Sequence, residues 1–232
     1  MSNGYRRLYV PFGVVVSFFG LLVALVASAS TRPVDQDVPW RKPAVGTLFI
    51  LICTAGGVAA VMPRLCSAVF DPRYRKVHLA TSDGIRVKGH HPSCERFSGH
   101  ILTVGEHTLC ASCTGLLVGA VVAIFGAVAY FLLGWQGAGL SQYAVVAGAV
   151  GVGLGLAPLE LRGAARSLLN VVFVMGAFLV LVGTDSLLQN LAVDLFILLL
   201  IVFWIMTRIA LSSWRRFRIC HDCGIACEPS QS

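Results

Sequence analysis

Six apolar runs, each close to 20 residues long, constrain this chain more than any other feature of its sequence. A helix of about 20 residues crosses the roughly 30 Å of bilayer hydrocarbon. Of the 232 residues, 56% are hydrophobic and 12% are charged, whereas soluble domains carry about 25% charged residues. The sequence therefore predicts an all-α polytopic membrane protein of about six transmembrane helices, at Leu8–Ala29, Ala44–Met62, Thr114–Gly134, Gln142–Leu159, Ser167–Thr184 and Leu191–Leu211.

The distribution of Lys and Arg predicts which loops face the cytoplasm, because cytoplasmic loops collect basic residues. With the N-terminus inside, 15 of the 18 basic residues lie in inner segments, and the outer loops hold only Arg32, Arg41 and Lys42. Both termini are then cytoplasmic, and the protein lies in the cell (plasma) membrane. The formal net charge of +7 fits this bias and contact with anionic lipid headgroups, so it implies no nucleic-acid partner.

The first apolar run also has an alternative interpretation as a signal peptide. Arg6 and Arg7 precede it, and it ends in Ala27-Ser28-Ala29, a small-residue pattern typical of a cleavage site. Its apolar stretch is longer than the usual 7 to 15 residues, which favours a retained helix. Cleavage would remove one span without changing the side on which later loops lie.

The spans divide the chain into four segments. Residues 1–63 form the first two transmembrane helices, and residues 64–113 form a cytoplasmic insert rich in Cys and His. Residues 114–211 form a four-helix transmembrane bundle, and residues 212–232 form a cytoplasmic Cys-rich tail. Alternating residues at Val77–Thr81 and Ile85–Lys88 predict a small hairpin in the insert. A hairpin of this size needs additional stabilisation, for which a structural metal is common.

The insert contains candidate zinc ligands in two close pairs. His91-x-x-Cys94 is followed, after fifteen residues, by Cys110-x-x-Cys113. Zinc prefers four tetrahedral nitrogen or sulfur ligands, and paired ligands at this separation are typical of structural sites. His90, His100 and His107 are alternatives to His91. Free thiols and, in a reducing cytoplasm, the less favoured disulfide are the other interpretations.

The tail carries three further candidate ligands, Cys220, Cys223 and Cys227, with His221 among them. They complete a second site, or Cys220 and Cys223 join Cys110 and Cys113 in one four-thiolate site that ties the insert to the tail. An iron–sulfur centre is an alternative cofactor, although the tail does not match common ferredoxin spacing. We expect zinc, with no catalytic residues assigned.

Around these ligands the chain resembles a family of small prokaryotic membrane proteins catalogued as domain of unknown function 2085. That family has Cys-Ala-Arg-Cys-Thr-Gly leading into a membrane helix, after a His/Cys-rich entry. Two positions differ from the family. Ser112 replaces the arginine of this motif, and the serine that the family has between its Glu-Arg and Phe residues is absent between Arg96 and Phe97. The resemblance implies a membrane location and no known reaction, and it is limited to Gly89–Gly119, with matches at His90, His91, Cys94, Glu95, Arg96, Phe97, Cys110, Ala111, Cys113, Thr114, Gly115 and Gly119.

Two patterns concern the spans themselves. Small residues repeat every four positions in the third and fourth spans, which predicts close helix contacts there; they are Gly115, Gly119, Ala123 and Ala127, then Ala147, Gly151 and Gly155. The apolar runs contain few ionisable residues. Glu160 and Arg162 lie at the inner end of the fourth span, and Asp185, Asn190 and Asp194 lie near the outer connection of the last two spans. We expect these polar groups to be solvated near the headgroups, where they cost little, with Glu160 paired to Arg162 or Arg166.

Three hypotheses for function follow. The first is a non-enzymatic membrane protein whose zinc-binding cytoplasmic face is structural or docks another membrane or cytoplasmic protein. The second is a membrane redox protein that uses Cys-x-x-Cys thiols or an iron–sulfur centre, and the third is a small transporter. The sequence contains no phosphate loop, nucleophile elbow or His-Glu-x-x-His helix, so an enzyme is the less favoured class.

Overall fold

The structure is a computed structural model, which describes residues 3–29, 38–61, 99–104, 107–135, 141–157, 159 and 161–222. Helices account for nearly all of these residues. In chain order the elements are α1 (Asn3–Ala29), α2 (Arg41–Val61), β1 (Ile101–Val104), β2 (His107–Cys110), α3 (Ala111–Ala127, continued by a π-helical turn at Val128–Leu132), α4 (Ser141–Leu156), α5 (Gly163–Leu188) and α6 (Leu191–Asp222).

Five of these helices are long and apolar enough to cross a membrane, which agrees with a multi-pass membrane protein. The apolar segments are Val10–Ala29, Arg41–Val61, Ala111–Leu132, Gly163–Leu188 and Leu191–Arg215. The fourth predicted span, Gln142–Leu159, corresponds to α4, which is apolar but has only 16 residues. Large apolar side chains such as Phe12, Phe125 and Leu199 are exposed on the outside of the bundle, where lipid would cover them.

Successive helices alternate in direction, so the bundle has two ends. Gly13 and Gly20 of α1 approach Thr207 and Leu200 of α6, which makes these two helices antiparallel. The end that contains the start of α2 and the ends of α3 and α5 is called the Arg41 end below. The opposite end, with the starts of α3 and α5 and the end of α6, is called the Arg166 end.

Helix α5 packs between α3 and α4 and contacts both through small residues. The expected small-residue face of α3 is confirmed: Gly115, Gly119, Ala123 and Ala127 are all buried. A Cβ atom at Gly115 would overlap with the carbonyl oxygen of Ser167 in α5. Because Gly115 has no side chain, the backbones of α3 and α5 come into direct contact at this position.

The small-residue face of α4 is confirmed in part. Gly151 and Gly155 are buried against α5, but Ala147 is exposed and its expected place is taken by Gly148. A Cβ atom at Gly148 would lie 2.6 Å from the Gly176 oxygen, and one at Gly176 would lie 2.7 Å from the Gly148 oxygen. The prediction was wrong only for Ala147, because a helix that is apolar on every side gives little contrast between its faces.

A short antiparallel hairpin precedes α3. Strands β1 and β2 pair with Ile101 opposite Cys110 and Val104 opposite His107. The hairpin predicted at Val77–Thr81 and Ile85–Lys88 lies outside the described residues. The observed hairpin, with two strands of four residues each, was not predicted from the sequence.

Candidate functional site

Two of the predicted metal ligands are described with their side chains, and both lie at the Arg166 end. Cys110 is the last residue of β2, and α3 begins at the next residue, so Cys113 lies in the first helical turn. Cys110 is buried and Cys113 is half-buried. The Thr114 hydroxyl donates a hydrogen bond to the Cys110 carbonyl oxygen at 3.0 Å, which fixes the turn between the two thiols.

Most of the remaining predicted ligands lie outside the described residues. These are His91, Cys94, Cys223 and Cys227. Cys220 lies in the last part of α6. Within the ranges that the structure describes, no group of three or more His, Cys, Asp and Glu side chains is close enough to hold a metal ion, so the zinc site remains a prediction.

Arg166 of α5 connects the cysteine-bearing turn to the helix bundle. Its Nε donates to the Ser112 hydroxyl at 2.9 Å, and its Nη1 lies 2.7 Å from Nε2 of His100. A guanidinium group has donors only, so His100 Nε2 accepts this hydrogen bond. That nitrogen is therefore engaged, which argues against His100 as a substitute for His91 through Nε2.

A second buried arginine continues this polar network into α6. Arg208 donates to Oδ1 of Asn170 through Nε at 3.3 Å and Nη2 at 3.1 Å. Asn170 in turn donates to the Arg166 carbonyl oxygen at 2.8 Å. Near the end of α6, Arg215 donates to the carbonyl oxygen of Leu159 at 2.9 Å. These bonds hold the starts of α3 and α5 and the end of α6 together.

The most unexpected feature of the molecule is a buried charge cluster at the Arg41 end. Four helices each contribute one member: Arg41 begins α2, Tyr130 lies in the π-helical turn of α3, Asp185 lies in the last turn of α5 and Asp194 in the first turn of α6. Arg41 Nη1 donates to Asp185 Oδ1 at 2.5 Å and also to Asp194 Oδ2. The Tyr130 hydroxyl donates to Asp185 Oδ2 at 2.8 Å.

The expectation of solvated polar groups was wrong for this cluster. The relative exposure of Arg41 is 1%, and that of Asp185 and Asp194 is 0%. Three polar atoms of the cluster are buried without a hydrogen-bond partner among the described residues, namely Arg41 Nε, Arg41 Nη2 and Asp194 Oδ1. Buried polar atoms are rarely left unpaired, so these three atoms set the cluster apart from the other buried polar groups described above.

Local backbone features bring these side chains together. The π-helical turn Val128–Leu132 widens the end of α3, and such turns recur at functional sites. Its Tyr130 ring packs edge-on against Phe131 with centroids 4.8 Å apart. Lys42 Nζ lies 5.5 Å from the centroid of the Tyr130 ring. Tyr130 therefore contacts a second cationic residue in addition to its hydrogen bond to Asp185.

The other polar residues expected at span ends differ from one another. Asn190 is a helix cap: its Oδ1 accepts hydrogen bonds from the backbone N–H groups of Ala192 at 2.9 Å and Val193 at 3.3 Å. It is half-buried and therefore neither a member of the cluster nor fully solvated. Arg162 is exposed, as expected. Glu160, expected to pair with Arg162 or Arg166, lies outside the described residues.

A sequence signal for the cluster exists, although it is weak. Arg41 is the first residue of its helix, and it belongs to the only group of basic residues on the side predicted to be outer. Asp185 and Asp194 are the only acidic residues near the connection between the last two spans. Because so few charged residues lie on this side of the bilayer, the basic and acidic residues there are candidates for pairing with one another.

Comparisons of the chain with protein-family models, with curated proteins and with solved structures found no match. The resemblance to the family of domain of unknown function 2085 therefore stays a prediction that rests on the residues of Gly89–Gly119.

Proposed function

We propose that this chain crosses the plasma membrane six times with both termini in the cytoplasm. We further propose that zinc stabilises its cytoplasmic end. The zinc site is either purely structural, or it stabilises a surface that docks a protein partner. The six-span arrangement is supported by the alternating helices and by the basic residues near the Arg166 end. The 16 residues of α4 extend about 24 Å at 1.5 Å per residue, slightly less than the hydrocarbon thickness.

The register of the hairpin is the observation that carries the zinc proposal. Ile101 pairs with Cys110, so the chain that enters β1 begins beside the Cys110-x-x-Cys113 turn. His91-x-x-Cys94 lies only a few residues before this entry point. The hairpin thus shortens the path between the two predicted ligand pairs, and zinc sites are commonly formed by such pairs.

The long helix α6 supports a link between the insert and the tail. It continues past its apolar part to Asp222, so Cys220 lies near the same end as Cys110 and Cys113. The hydrogen bonds of Arg166 to Ser112 and of Arg215 to Leu159 hold these helix ends together. Zinc bound by thiolates from both segments would act as a crosslink, and its binding energy would contribute to folding.

Elemental analysis of the detergent-purified full chain tests this proposal. We expect stoichiometric zinc, its loss in Cys110→Ser, and a lower melting temperature in the presence of a chelator. Cys53→Ser is the matched control, since Cys53 is buried in α2 and should not change the zinc content. Zinc-free protein whose melting temperature is insensitive to chelator would contradict the proposal.

The charge cluster favours a small transporter as the second candidate function. Ionisable residues buried in a membrane bundle mark ion pathways and proton relays, and Arg41, Asp185 and Asp194 are such residues. Proteoliposomes with an entrapped pH-sensitive dye provide the test. Transport predicts dissipation of a pH gradient that Asp194→Asn abolishes and Lys42→Gln does not. Equal leakage with protein, with Asp194→Asn and without protein would end this candidate.

A further inference from the structure

The charge cluster at the Arg41 end does not balance. Its described members are one guanidinium, from Arg41 of α2, and two carboxyl groups, from Asp185 of α5 and Asp194 of α6. Tyr130 of α3 adds a neutral hydroxyl, and Lys42 Nζ lies 5.5 Å from the centroid of its ring. With both carboxyl groups ionised, the buried group of Arg41, Asp185 and Asp194 would carry one net negative charge.

Two features make that charged state costly. Both carboxyl groups contact the same nitrogen, Arg41 Nη1, which places them side by side. Adjacent carboxylates in a site with little water repel each other strongly, and such pairs commonly share one proton. The second feature is Asp194 Oδ1, which is buried and has no hydrogen-bond partner within the described ranges.

We infer that Asp185 and Asp194 form a proton-binding pair that holds one shared proton in the folded protein. With this proton, the two acids together carry one negative charge, which balances the positive charge of Arg41. Protonation of one acid depends on the charge of the other, because strongly interacting carboxyl groups titrate together. Asp185 Oδ1 and Oδ2 and Asp194 Oδ2 already accept hydrogen bonds, so Asp194 Oδ1 is the oxygen left for the proton.

A metal cation fits this cluster less well than a proton. Hard cations such as Ca²⁺ take six to eight oxygen ligands, whereas the cluster offers four carboxyl oxygens and one hydroxyl. Three of the carboxyl oxygens are engaged by Arg41 and Tyr130. The guanidinium also occupies the position between the two acids that a cation would take.

The shared proton would link protonation to the packing of the bundle. The cluster joins α2, α3, α5 and α6, so loss of the proton leaves a repulsive pair at the junction of four helices. This proton site depends on neither zinc nor transport, because it involves only atoms of the cluster.

Infrared spectroscopy of the full chain in detergent provides the direct test, since a protonated carboxylic acid has a C=O stretch distinct from that of a carboxylate. We expect a band from a buried acid near neutral pH in the unmodified protein, and its loss as the buffer becomes strongly alkaline. Asp194→Asn and Asp185→Asn should each remove the band, because either change leaves one carboxylate paired with Arg41 and no need for a proton.

Tyr130→Phe is the matched variant that keeps the charge count. It removes the hydrogen bond to Asp185 Oδ2 but leaves the two acids and the arginine, so the band should shift in frequency and remain. Absence of the band in the unmodified protein would overturn the proposal without any variant. Its persistence at full intensity in both Asp→Asn variants would assign the band to another group and overturn the proposal equally.

Discussion

Arg41 illustrates how much of this fold depends on a single side chain at a helix terminus. It is the first residue of α2, yet it is fully buried and contacts acids from α5 and α6. Removal of one partner from a buried ion pair leaves an uncompensated charge, which costs far more than the pair itself contributes.

Arg41→Gln should therefore destabilise the protein by about 3–5 kcal/mol. The neighbouring Lys42 is half-buried and makes only a distant contact with the Tyr130 ring, so Lys42→Gln removes the same charge and should change stability little. Thermal unfolding in detergent compares the two variants. Equal melting temperatures for both would show that the buried ion pairs do not hold the helices together.

Asn190 provides a smaller test at the same scale. Its side chain caps α6 through two backbone N–H groups, and loss of such a cap typically costs about 1 kcal/mol. We expect Asn190→Ala to lower the melting temperature modestly, and Asn190→Asp to retain most of it because aspartate caps equally well. An unchanged melting temperature in Asn190→Ala would argue against the cap.

The charge cluster could not be predicted from the sequence for a definite reason. Arg41 and Asp185 are separated by 144 positions, and Arg41 and Asp194 by 153. The lengths of apolar runs identify the spans, and charged residues at span ends are then assigned to the headgroup region. The runs do not indicate which helix ends contact one another in the fold. The interpretation of Asp185 and Asp194 as solvated residues was wrong because it judged each by its depth and not by its neighbours.

At the scale of elements, α5 is held by direct contact of glycine backbones on two sides. Gly115 of α3 and Gly148 of α4 both face it where an added Cβ would meet a carbonyl oxygen. In lipid, helix association depends on such close packing rather than on the hydrophobic effect.

Gly115→Ala and Gly148→Ala should each lower the melting temperature, at a cost of about 1–3 kcal/mol for overpacking. Gly56→Ala in α2 is the control, because a Cβ there meets nothing within 4 Å. That variant should be neutral or slightly stabilising, since alanine favours helix over glycine by roughly 1 kcal/mol. A similar loss in all three variants would indicate that helix flexibility, and not close packing, is the reason for these glycines.

Helix positions were predictable because the bilayer sets a length that apolar runs must match. The second predicted span, Ala44–Met62, differs from α2 (Arg41–Val61) by three residues or fewer at each end. The faces of the helices were harder to predict, as Ala147 and Gly148 show, because lipid and core are both apolar. In a membrane protein, the positions of the small residues must therefore indicate the buried face of a helix, which polar residues indicate in a soluble protein.

The molecule as a whole has two ends of different chemistry. The Arg41 end buries two acids with one arginine, and the Arg166 end gathers Cys110, Cys113, Arg166 and Arg208. Cysteine spacing predicted zinc ligands near the second end. All of them remain predictions, Cys110, Cys113 and Cys220 as well as His91, Cys94, Cys223 and Cys227. The central claim is that both cysteine-bearing segments face the cytoplasm, since a shared zinc site requires one compartment.

Labelling of intact cells with a membrane-impermeant maleimide, followed by peptide mapping, tests that claim most directly. Trp40→Cys is the positive control, because Trp40 is exposed at the Arg41 end and should react from outside. The account predicts that Cys110, Cys113 and Cys220 react only after the cells are permeabilised with a zinc chelator present. Reaction of Cys110 or Cys220 in intact cells would contradict the account.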